Sequence, residues 1–131
     1  MRRNLILIAS MVVVLAAAGC ARTQPVYNVT GTPVVTSSAS ALSLQQVRDA
    51  ITRAAQAKRW RVEQIQDGHL VATVVVRRHT AVVDINYTTT DYSITYKDSD
   101  VLLYDGQKIH RNYNKWVKLL DERISQELNA L

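Results

Sequence analysis

The stretch from Ile109 to the C-terminus most constrains what this chain can become. Its large apolar side chains, Leu119 apart, fall at Ile109, Tyr113, Trp116, Val117, Leu120, Ile124, Leu128 and Leu131. That spacing returns to one side of a helix every three or four positions, so it predicts a long amphipathic helix with a continuous apolar stripe. Such a helix gains most of its stability from burying its stripe, so the rest of the chain must supply an apolar surface. Asn112 and Asn114 are weak helix formers, which allows the first turn to start as late as Tyr113.

The segment before it supplies that surface as a sheet. Trp60 to Glu63 alternates and leads into Asp67-Gly68, a strong hairpin signal. His69 to Arg78 is long and β-branched. Thr80 to Thr88 places Ala81, Val83, Ile85 and Tyr87 on one side, and Tyr92, Ile94 and Tyr96 alternate with polar residues. The short connections predict an antiparallel meander of four strands. Val101 to Tyr104 reads as a short extension before the Asp105-Gly106 turn. Upstream, Ser43 with Gln46 has the form of a capping box, and Leu44, Val47, Ile51, Ala54 and Ala55 share one helical face. A first helix is therefore expected over about Leu44 to Lys58. The predicted fold is a two-layer α+β domain in the order α-β-β-β-β-α, with both helices on one face of the sheet.

The N-terminus is of a different kind. Met1-Arg2-Arg3 is basic, and Leu5 to Ala18 is uncharged with Ser10 as its one polar side chain. The run is too short for a comfortable membrane span of about 20 residues, and it matches the apolar region of a secretory signal. It ends in Leu15-Ala16-Ala17-Ala18-Gly19-Cys20, where Cys20 is the single cysteine of the chain. One cysteine excludes an internal disulfide framework and any cysteine-rich metal site. Residues 1–19 are assigned to the signal. Residues 20–42, rich in Ser, Thr, Val, Gly and Pro, are assigned to a flexible tether in which Val34-Val35 can pair transiently with a sheet edge. Residues 43–131 form a single domain. Loss of Arg2 and Arg3 with the signal lowers the formal charge from +5 to +3, too weak a basic bias to predict a nucleic-acid binder.

The segment ending at Cys20 resembles the lipobox of bacterial lipoproteins, with Ala17 where Leu is commonest. The resemblance implies cleavage before Cys20, lipid on its sulfur and an acyl chain on its new amine. Several acyl chains give stable anchoring where one is marginal. In such lipoproteins an Asp directly after the cysteine retains the chain in the inner membrane. Ala21 stands there, so the resemblance implies the outer membrane, with the domain facing the periplasm. The domain is also similar to a set of short, uncharacterised lipoproteins of Gram-negative bacteria. The likeness lies in Trp60-x-Val62, Arg78-His79-x-Ala81-x-Val83, Tyr92-Ser93-Ile94-x-Tyr96 and Ile109-His110-x-Asn112-Tyr113-Asn114-x-Trp116. It implies the compartment and a single domain, and no activity or binding residue comes with it.

Few residues suggest chemistry. His69 and His79 sit at opposite ends of one strand, roughly 30 Å apart at the usual rise, so the three histidines do not form one zinc site. His79 with Asp84 and a serine makes a triad on paper but lacks a nucleophile elbow. Asp98, Asp100 and Asp105 depart from a calcium loop because Leu102 occupies a ligand position. No metal, cofactor or catalytic activity is expected. Charge is uneven: Arg48 to Arg78 holds seven basic and three acidic residues, a net +4, whereas Asp84 to Asp105 is net −4. With Asp67-Gly68 as one end of a hairpin, Lys58, Arg59, Arg61, Arg77 and Arg78 gather at the other. They form a candidate patch for anionic lipid or an acidic envelope protein, or else ordinary solubilising and edge-protecting charge. Six tyrosines and no phenylalanine suggest aromatic rings whose hydroxyls reach water. The expected function is binding or scaffolding by a lipid-anchored periplasmic protein. The alternatives are a small periplasmic hydrolase and a purely structural lipoprotein.

Overall fold

A computed structural model describes residues 22–131; the segment read as a signal, and Cys20, lie outside the described residues. In chain order the elements are β1 (Thr23–Pro25), β2 (Val29–Pro33), α1 (Leu44–Ala57), β3 (Arg61–Gln66), β4 (His69–Val76), β5 (His79–Tyr87), β6 (Asp91–Asp100), β7 (Lys108–His110) and α2 (Arg111–Asn129).

Local chemistry sets these boundaries. The Ser43 hydroxyl accepts from the Gln46 amide at 3.1 Å while the Gln46 side chain accepts from the Ser43 amide at 2.8 Å, which satisfies donors that a helix start otherwise leaves open. α1 then buries Val47, Ala50, Ile51, Ala54 and Ala55. Arg59 follows in a left-handed conformation (φ 65°), and the next residue, Trp60, is buried. At the Asp67-Gly68 turn Gly68 has φ 81°, and a Cβ there would stand 3.1 Å from the Tyr87 carbonyl oxygen, so only glycine fits without strain.

The expected antiparallel meander is present, and it gains a strand. The sheet order is β2-β6-β5-β4-β3, five strands rather than four, while β1 and β7 form a separate two-stranded pair. Alternation decides the core. Leu70, Ala72 and Val74 of β4, Ala81, Val83 and Ile85 of β5, and Tyr92 and Ile94 of β6 are buried together with the apolar faces of both helices in one cluster.

The extra strands correct the sequence reading of residues 20–42 as a flexible tether. Residues 22–42 lie on the domain. Thr23 pairs with His110, Val29 with Ile94 and Pro33 with Asp91, and the Val34 amide donates to the Thr90 carbonyl at 2.8 Å. Gly31 and Pro33 mark a bulged edge strand: Gly31 takes φ 59° inside the register shift between Val29 and Thr32. Proline is tolerated on an edge because no neighbour needs its missing donor. Farther on, Thr36 and Ser37 donate to the carbonyls of Leu131 and Asn129, covering acceptors that the end of α2 leaves open.

The C-terminal helix differs from expectation in two ways. Ile109 belongs to β7, and the helix begins at Arg111 because the His110 ring accepts from the Asn112 amide at 3.1 Å and acts as its N-cap. Trp116 is only half-buried, and Asn114 is buried in its stead. The Asn114 side chain accepts from the Tyr27 amide at 2.9 Å and donates to the Pro25 carbonyl at 2.9 Å and the Gln24 side chain at 3.3 Å. A polar residue on the apolar stripe thus clamps the N-terminal segment. Asn114→Ala should destabilise the domain by about 1 kcal/mol, the cost of losing bonds to part-buried backbone groups, and should speed hydrogen exchange at Tyr27. Asn112→Ala should cost less in a denaturant titration; equal costs would mean that Asn114 is no clamp.

Candidate interaction surface

The five basic residues singled out by sequence lie toward one end of the sheet. Arg77 and Arg78 form the two-residue tip that joins β4 to β5, because Val76 pairs with His79. Lys58 and Arg59 link α1 to β3 just before Arg61, and all five side chains are exposed. They are spread along the end rather than clustered. Arg61 faces Thr73, four residues short of Arg77, or about 13 Å along the strand.

The same end also carries acids. Asp98 faces Val82 and Asp100 faces Thr80, so the net-negative segment runs beside the hairpin tip instead of lying apart from it. The expected patch of one sign is therefore a mixed end. Among the described residues neither Arg77 nor Arg78 makes an ion pair; the pairs present are Arg48–Asp49, Arg53–Glu127, His69–Asp84, Lys97–Asp84 and Arg123–Glu127.

Apolar side chains share this end, which the sequence reading did not anticipate. Val75, Thr80 and Asp100 form one row across the sheet, and Val75 is 64% exposed. Just past Asp100, Val101 and Leu103 are 53% and 57% exposed, while Leu102 between them is buried. Both exposed residues hold left-handed backbone (φ 58° and 57°), as does Arg77 at the hairpin tip (φ 56°). Side chains with a Cβ hold that conformation at a cost of order 1–3 kcal/mol each, and a β-branched valine is an outlier there. The short extension read from Val101 to Tyr104 is thus a strained turn that presents apolar groups to solvent.

The N-terminal segment arrives at the same place. The Arg111 amide donates to the Arg22 carbonyl at 2.9 Å, the His110 amide donates to the Leu102 carbonyl at 2.8 Å, and the His79 and His110 rings lie 6.3 Å apart. Burial lowers the His110 pKa, and the positive charges of Arg111, His79 and Arg22 lower it further. Neutral imidazole is the form that can accept from Asn112, so the environment and the cap agree.

The remaining polar residues have structural partners. Asp84 sits 2.6 Å from the His69 ring and 3.8 Å from the Lys97 ammonium; it does not meet His79, five residues along the same strand, and the paper triad is not formed. Asp105 accepts from the amides of Gln107 and Lys108, which hold its carboxyl below the usual range, with the Lys108 amide foremost. Among the described residues no three metal-ligating side chains converge. Of the tyrosines, Tyr87, Tyr92 and Tyr113 are buried, and the Tyr92 hydroxyl donates to Asp121 at 2.6 Å. Tyr96 stacks on Tyr104 at 4.1 Å and meets Tyr113 edge-on at 5.6 Å. Burial raises the pKa of the Tyr113 hydroxyl, which has no hydrogen-bond partner.

The His110 shift has a defined consequence for stability. Its folded pKa is depressed, so the unfolded chain takes up the proton first as pH falls, and the stabilisation is lost from about pH 6.5 downward. His110→Asn keeps a capping acceptor that does not titrate. Thermal melts of the two proteins between pH 7.5 and 5 should show a smaller fall in Tm for the variant; parallel curves would remove His110 as the source. No protein-family model, curated protein or solved structure matches this chain.

Proposed function

We propose that this protein is a lipid-anchored domain of the bacterial envelope, held through Cys20 in the outer membrane, facing the periplasm and acting by binding or scaffolding rather than catalysis. The anchor rests on the sequence: a basic start, an apolar run and the sole cysteine at the position lipidation requires. In this reading the domain has two layers, with both helices against the buried face of the sheet.

The observation that carries the binding role is the contrast between the two sheet faces. Residues alternating with the buried set, among them Val71, Thr73, Val82 and Thr95, stay half-exposed. No second layer of described elements buries that side. At one margin the edge strand β3 has a single neighbour, β4, so its outer backbone groups are open for pairing. A broad, partly apolar sheet face beside an open edge suits an extended or flat protein partner.

Photocrosslinking in cells tests this reading. A photoreactive residue at Thr73 or Val82 should give discrete adducts with an envelope protein, whereas one at the exposed helix positions Lys118 or Glu122 should not. Equal labelling at sheet and helix positions would refute the sheet face as the binding surface. Separately, Cys20→Ala should abolish acylation and release the protein from membranes.

A further inference from the structure

We infer that the end of the sheet carrying Val75, Val76, Arg77, Arg78, Val101 and Leu103 lies directly on the membrane leaflet that holds the protein's own acyl chains. The inference rests on the lipid-anchor reading of Cys20 and adds to it a fixed seating of the domain.

Chain length sets the geometry. Arg22 is the first described residue, and its carbonyl is tied to the Arg111 amide while Thr23 is paired with His110. Only Ala21 stands between Cys20 and Arg22, so the two Cα atoms lie at most about 7 Å apart. The segment first read as a long tether is consumed by β1 and β2. The domain therefore has no slack to hang freely below the lipid.

Topology then identifies which part of the domain lies at the exit. His110 sits beside His79, the first residue after the Arg77-Arg78 tip, and is bonded to Leu102 in the strained turn. The exit, the hairpin tip and the turn are thus neighbours. The composition of this end suits a leaflet surface: exposed valine and leucine for the boundary between headgroups and acyl chains, and arginines for lipid phosphates. A purely aqueous role gives no reason to hold Val101 and Leu103 both exposed and left-handed. Asp98 faces Val82 and lies behind this end, while Asp100 stands level with Val75, two residues short of the Arg77-Arg78 tip.

The test uses the full lipidated protein in vesicles of phosphatidylethanolamine and phosphatidylglycerol. An environment-sensitive dye is attached through Val101→Cys, or through Thr89→Cys in the exposed turn at the opposite end of the sheet, and lipid-borne quenchers report depth. Quenching should be roughly threefold or more stronger at position 101 than at 89, as expected for apolar groups about 5–10 Å into the interface. Adding Arg77→Glu and Arg78→Glu should reduce that difference at low salt with the melting curve retained. If mass analysis shows acylated Cys20 yet both labels are quenched equally, the seating is overturned and the anchor stands. An unmodified Cys20 thiol overturns both. Unchanged quenching after the double charge reversal overturns the role given to lipid phosphates.

Discussion

The clamp that Asn114 places on the N-terminal segment determines much of what this domain can do. Its one amide group satisfies the Tyr27 amide and the Pro25 carbonyl, two part-buried backbone groups, from a buried position on the apolar stripe of α2. Once Pro25 and Tyr27 are held, β1 is positioned to pair with β7 and β2 to extend the sheet beside β6. Asn28 continues the stitching by accepting from the Tyr96 amide at 3.0 Å. A stretch with few apolar residues thereby becomes part of the fold through hydrogen bonds made mainly by others. The position at which the chain leaves the domain at Arg22 follows from this.

The same corner shows how charge and capping cooperate. The start of α2 carries Arg111 next to its cap, and Arg22 and His79 stand close by. Positive groups at a helix N-terminus oppose the macrodipole, so this arrangement costs stability locally. Keeping His110 neutral limits that cost, and the neutral ring supplies the acceptor that the first turn needs. A concentration of arginine at a helix start and at a left-handed hairpin tip departs from local preference, which would favour acids at the first and Asn-Gly at the second. Departures of this kind that coincide in one place point to a demand from outside the fold.

Periodicity carried most of the fold. The α1 capping box, the Asp67-Gly68 hairpin, the meander and the run of α2 were all legible, because each depends on residues close in sequence. What escaped depends on partners far away. β1 and β2 are only a few residues long and become strands because β7 and β6 offer them unpaired backbone. Asn114 reads as a weak helix former, and only contacts some 90 positions distant make it a clamp. The basic residues were traced to the correct end by hairpin geometry, yet Asp98 and Asp100 came with them. A two-residue tip after Val76 sends β5 back down the sheet, and β6 then returns to the same end. Val101 and Leu103 gave no local signal, since left-handed backbone at such residues is a tertiary imposition.

The proposed seating also determines what the bare sheet face can reach. With the Arg77-Arg78 end on the leaflet, the strands run away from the membrane. β6, from Asp91 to Asp100, extends about 33 Å at the usual rise. The Asp67-Gly68 turn and the turn from Thr88 to Thr90 then stand farthest from the lipid. The half-exposed face with Val71, Thr73 and Val82 faces sideways, parallel to the surface, and the open β3 edge stands upright beside it. A flexible tether would let that face sample every direction, and a partner would have to arrest it at an entropic cost. A seated domain has met that cost once, through its anchor and its end contacts. Its sheet face is pre-oriented toward proteins standing on the same leaflet, and binding gains from an orientation the free state already holds.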